Sequence, residues 1–72
     1  MVTVLVHTFR EAVGRLPHTT RQHGRARTDY IDSASGQPIG RVYHTHRGHQ
    51  DIQTYRVSRR FVPQAQPVKV VR

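Results

Sequence analysis

Two phenylalanines and three tyrosines are the only aromatic side chains that 72 residues offer for filling an interior, with no tryptophan and no cysteine beside them. At this length folding buries only roughly 60% of the surface that the unfolded chain exposes. Nearly every large apolar side chain is therefore committed to one core, and none is spare for a deep, dry catalytic pocket. Without cysteine, a disulfide framework, a thiolate zinc site and thiol catalysis are all out of reach. The chain reads as one small basic domain over residues 1–62, followed by a Pro-interrupted edge strand or tail at 63–72. Stability at this size is expected to lean on a partner or a second copy.

The order of apolar residues suggests how that core is built. Residues 2–7 (VTVLVH) are β-branched and apolar, and Thr8-Phe9-Arg10-Glu11 has the spacing of a capping box. This predicts a first strand and then a short helix over 9–16, stopped by Pro17. A rival reading makes residues 2–16 a single helix, because Val2, Leu5, Val6, Phe9, Val13 and Leu16 fall on one 3.6-residue face. Strand then helix is preferred, since the β-branched start favours a strand and Thr8 offers a cap.

Residues 17–27 (PHTTRQHGRAR) carry no apolar period and read as a loop or mobile arm. Residues 28–32 (TDYID) read as a strand, 33–38 as a turn, and 39–46 and 50–62 as two further β-rich runs joined around Arg47-Gly48. Pro63 and Pro67 leave 68–71 (VKVV) as a short edge strand or extended tail. The expected class is α+β: a three- to four-stranded antiparallel sheet or half-open barrel with one short N-terminal helix. Apolar edge segments at 2–6 and 68–71 would favour a homodimer.

Charge gives the strongest functional signal. Twelve basic residues against four acidic ones give a formal net charge of +8 and a pI near 11.6, the electrostatic footprint of a nucleic-acid binder. All the basic residues but Lys69 are arginine, whose planar fork matches phosphate and stacks on bases. The residues expected to make contact are Arg21, Arg25 and Arg27 in the arm, and Arg41, Tyr43, Arg47, Arg56, Arg59 and Arg60 on the hairpin. On a strand, Arg41 and Tyr43 share a face. The arginines would hold phosphate while a tyrosine ring stacks on a base. The plainer alternative makes Tyr43, Tyr55, Val57 and Phe61 core.

Two other constellations compete with that reading. If Arg47-Gly48 is a two-residue turn, His46 faces His49 and His44 faces Asp51, so that three imidazoles and a carboxylate converge as candidate ligands for a divalent metal. The string HTHRGH also resembles the H-x-H-x-D-H motif of metallo-β-lactamase-like hydrolases. Gly48 stands where that motif has a ligand, however, and the fold of those enzymes needs a far longer chain. A turn one residue longer would put these groups on different faces, and a tip rich in His and Arg is more often a solvated basic loop, so no metal or other cofactor is expected. His and Arg alone could instead serve a ribonuclease-type toxin, with one imidazole as base and another as acid. Glu11, Asp29, Asp32 and Asp51 form no carboxylate pair, and no nucleophile triad or phosphate loop is present.

No stretch approaches the roughly 18 apolar residues of a membrane span, and residues 1–6 are too short a run for a secretory signal. A cytoplasmic protein that does not engage membranes is expected. Its leading function is accessory or regulatory binding of DNA or RNA, mainly through phosphate. An acidic partner protein is the competing ligand.

Overall fold

The computed structural model describes residues 1–62. The fold is α+β: a five-stranded, fully antiparallel open sheet with one helix on one of its faces. Strands β1 (Val2–Val4), β2 (His18–His23), β3 (Arg27–Asp32), β4 (Pro38–Arg47) and β5 (Gln50–Val57) lie in the order β1-β5-β4-β3-β2. Helix α1 (Val6–Gly14) links the two edge strands by crossing the sheet, and a 3-10 turn (Arg59–Phe61) follows β5. The expected strand at 68–71 lies outside the described residues.

Three sequence expectations are corrected. Residues 18–23 are a strand and not an arm: they pair with β3 through the whole register from His18↔Asp32 to His23↔Arg27, which raises the strand count to five. The second correction is at the helix start, which lies at Val6, with Leu5 in the cap position and no side-chain cap. Thr8 is thus inside the helix and buried, and Glu11 bonds forward to Arg15 at 3.0 Å, one turn on. The capping box goes unused because the chain leaves the sheet at Val4, and Phe9 N–H already donates to Leu5 C=O at 3.1 Å. Third, β5 ends at Val57, and residues 59–61 turn instead of extending.

The core sits between α1 and the centre of the sheet. Phe9, Ala12, Val13, Ile39, Val42 and Val57 are buried, with Val4, Leu16, Tyr30, Tyr55, Phe61 and Val62 packed around them. Phe9 is the hub, its ring centroid 5.2 Å from those of both Tyr30 and Tyr55. Gly40 is what lets the helix come this close. A Cβ there would lie 2.7 Å from the Arg56 carbonyl oxygen and 2.8 Å from Phe9 Cε1, and the backbone atom cannot move aside without breaking the β4–β5 ladder. Gly40→Ala is expected to cost about 1–3 kcal/mol through overpacking, read as a lower urea midpoint with an unchanged slope. An unchanged midpoint would show that α1 can ride outward freely.

The β3–β4 turn is held by Asp32, whose carboxylate accepts from Ser35 Oγ at 2.7 Å, Ser35 N–H at 3.2 Å and Ala34 N–H at 3.4 Å. The Ser35 hydroxyl leads in holding this carboxyl below its ordinary value of 3.8, against the opposing effect of burial, with the two backbone donors and the Arg60 charge adding to it. A depressed acid stabilises the fold fully above its unfolded value and loses that contribution as pH falls through the folded one. The melting temperature should therefore drop as pH falls from about 4, and Asp32→Asn should flatten that drop. An acid limb of the same steepness in the variant would place the effect elsewhere.

Candidate nucleic-acid interface

Alternation of side chains along each strand divides the sheet into two faces. One carries Val2, Val4, Tyr30, Val42, Tyr55 and Val57 against α1, and the other has no helix over it among the described residues. On this open face the register aligns one residue from each strand in a single row: Thr3↔Arg56↔Arg41↔Asp29↔Arg21. A second row runs Thr54↔Tyr43↔Arg27↔His23. Four guanidinium groups thus stand on one face against a single carboxylate. They come from four different strands, so only the register brings them together.

Asp29 organises this face. Its side chain is buried, and its oxygens lie 3.0 Å from His23 Nε2, 3.1 Å from Arg27 Nε and 3.2 Å from Arg41 Nε. The two arginine Nε atoms approach Oδ1 off the hydrogen-bond line, while Arg27 donates from Nη2 to Oδ2 at 3.5 Å. Both arginine side chains remain about one-third exposed. Arg41 meets Asp29 through Nε, the inner nitrogen of its guanidinium group. Arg56 is half-buried and donates from Nη2 to the Met1 carbonyl at 2.6 Å, which ties the start of the chain to this face. Arg21 is exposed on the edge strand.

The remaining sequence candidates lie around this centre. Tyr43 is half-buried on the open face, without a ring partner among the described residues, whereas Tyr55 stacks on Phe9 as core. The plainer reading of the tyrosines thus holds for Tyr55 and not for Tyr43. Arg25 sits in the β2–β3 turn and Arg47 ends β4. Arg59 and Arg60 are exposed in the 3-10 turn, where the Arg60 guanidinium lies 5.9 Å from the Phe61 ring. Sequence reasoning missed Asp29 and His23. The alternation of Arg27 and Asp29 within one strand hinted at the first, but Arg41 and His23 join only through cross-strand register.

The histidine tip is shifted by one residue from the expected turn. The loop residues are Gly48 and His49, with Arg47↔Gln50, His46↔Asp51 and His44↔Gln53 as cross-strand pairs. Gly48 takes φ +58°, a conformation that glycine adopts without strain. His46 Nδ1 contacts Asp51 Oδ1, but His49 lies in the turn and His44 faces an amide. No group of three potential metal ligands forms among the described residues. This tip and the β2–β3 turn border an open notch of 690 Å³, with Arg25 on one side and His44, His46 and Asp51 on the other.

No protein-family model, curated protein or solved structure matches the chain. No helix among the described residues is long and apolar enough to cross a membrane.

Proposed function

We infer that this protein binds nucleic acid through the open face of its sheet, mainly by phosphate contacts, in an accessory or regulatory role. The observation that carries this reading is the row of Arg56, Arg41 and Arg21, with Arg27 beside it, on a face that no helix among the described residues covers. Adjacent strands are about 4.8 Å apart, so the row spreads cationic forks over a strip suited to a polyanionic backbone. Tyr43 adds a flat ring within this strip on which a base can stack. Arg59 and Arg60 extend the charge beyond the end of β5.

Counterion release makes phosphate binding fall linearly with salt on a logarithmic scale, and the slope counts the phosphates neutralised. Affinity for random-sequence DNA and RNA should be measured against salt for the natural protein and for Arg21→Ala/Arg56→Ala. The double variant is expected to bind about tenfold more weakly at low salt and to lose about two units of slope, because each lost phosphate contact removes roughly one. Neither residue is among the Asp29 ion pairs, and since Arg56 also donates to the Met1 carbonyl, an unchanged melting temperature is the check that the fold is intact. Failure to bind any nucleic acid at low ionic strength would overturn the proposal. A nuclease-resistant complex with an acidic protein would then select the competing ligand.

A further inference from the structure

Beyond the body of the sheet, β4 and β5 continue alone. β3 reaches only Tyr43, apart from one further bond in which His44 N–H donates to Ala26 C=O at 2.8 Å. β1 reaches only Tyr55 on the other side. From Thr45 to the Gly48-His49 turn and back to Ile52, each strand therefore has only the other as a partner among the described residues, and every residue from 45 to 53 is exposed. This two-stranded ribbon has two unlike faces. The face that continues the arginine rows presents Thr45↔Ile52 and Arg47↔Gln50 as cross-strand pairs and contains no acid. The opposite face holds the His46–Asp51 contact and the only carboxylate of the ribbon.

The geometry points to the ribbon as a reader of the major groove of B-form duplex DNA, entered with the Thr45, Arg47, Gln50 and Ile52 face toward the bases. This rests on the nucleic-acid reading above and assigns it a form of nucleic acid. A major groove about 12 Å wide and 8.5 Å deep admits a two-stranded ribbon, whereas the deep, narrow major groove of A-form RNA does not. The four side chains suit its floor. Arginine pairs with guanine O6 and N7, glutamine pairs with adenine N6 and N7, and threonine and isoleucine pack on the thymine methyl. Ile52 is 40% exposed, one of few large apolar side chains left so in the described residues, and a thymine methyl accounts for it. The same orientation lays the arginine rows along the flanking phosphates and turns Asp51 away from the DNA.

The test measures affinity of the full chain, at low ionic strength, for a short random-sequence DNA duplex. The comparison ligands are the same duplex with glucosylated hydroxymethylcytosine, whose sugars fill the major groove, the matching single strand, and the A-form RNA duplex. The natural protein should bind the plain duplex at least about tenfold more tightly than the glucosylated one, and Arg47→Ala/Gln50→Ala should remove most of that difference. Both substituted positions are exposed, so an unchanged melting temperature confirms that the fold is intact. Equal binding to plain and glucosylated duplexes, or preference for a single strand or RNA, with continued dependence on Arg21 and Arg56, would overturn the groove assignment and leave phosphate binding standing. Absence of binding to every ligand would overturn both.

Discussion

Phe9→Ala is expected to cost about 3–5 kcal/mol, the range for truncating a buried phenylalanine. In a domain whose total stability is on the order of 0.05–0.15 kcal/mol per residue, that is between about a quarter and all of the total. The physical cause is the absence of any substitute. Phe9 is 4% exposed, packs edge-on to Tyr30 at 82°, meets Tyr55 at 51°, and covers the only space that Gly40 leaves open. Removing the ring takes a contact from both tyrosines at once and opens a cavity that a sheet on one side and a single helix on the other cannot close. Phe9→Leu should recover a substantial part. Urea denaturation followed by circular dichroism checks both variants, and a midpoint for Phe9→Ala equal to that of the natural protein would remove Phe9 from the centre of the core.

Asp29→Asn should move stability and affinity in opposite directions. The buried carboxylate lies within 3.2 Å of nitrogens of His23, Arg27 and Arg41, and breaking a buried pair costs several kcal/mol because a charge is left uncompensated. The partners are partly exposed, and solvent reduces the penalty. About 2–3 kcal/mol of destabilisation is expected. The same change removes the one negative charge from the open face, so the surviving folded protein should bind polyanions more tightly and with a steeper salt dependence. Denaturation and salt-titrated binding on one preparation give both numbers. A folded variant that binds more weakly would show that Asp29 serves binding by fixing the direction of the guanidinium groups.

Much of this architecture was legible in the residues. Strands β3, β4 and β5 were marked by β-rich runs and by the turn residues between them, and a short helix before Pro17 was expected, though over 9–16 and not the Val6–Gly14 it occupies. β2 was not legible, because an edge strand with almost no buried face needs no apolar period. The segment HTTRQH is exposed at all but its first position, and pairing with β3, not composition, makes it a strand. Thr8 and Glu11 misled in the other direction: a capping pattern has meaning only where the chain leaves the preceding strand, and that point lies at Val4–Leu5. The arginines of the open face were all visible in the sequence. Their alignment was not, since it depends on strand-to-strand registers that no local pattern encodes, and the turn at Gly48 was displaced by one residue for the same reason.

The pairing of β1 with β5 also dictates an order of assembly. Val2 meets Val57, and Val4 meets Tyr55, so β1 is made before every other strand described and its one neighbour among the described residues, β5, is made after them. The remaining strands form a meander of successive hairpins, each closing a short loop, whereas β1 must close nearly the whole described chain. During synthesis Phe9 can meet Tyr30 and Val42 once β3 and β4 form, but Tyr55, Val57 and the β1 ladder must wait until β5 arrives. A stalled chain ending before residue 55 would carry Phe9 without Tyr55 and a first strand with no partner among the described residues, which makes it a natural client for chaperones or proteases.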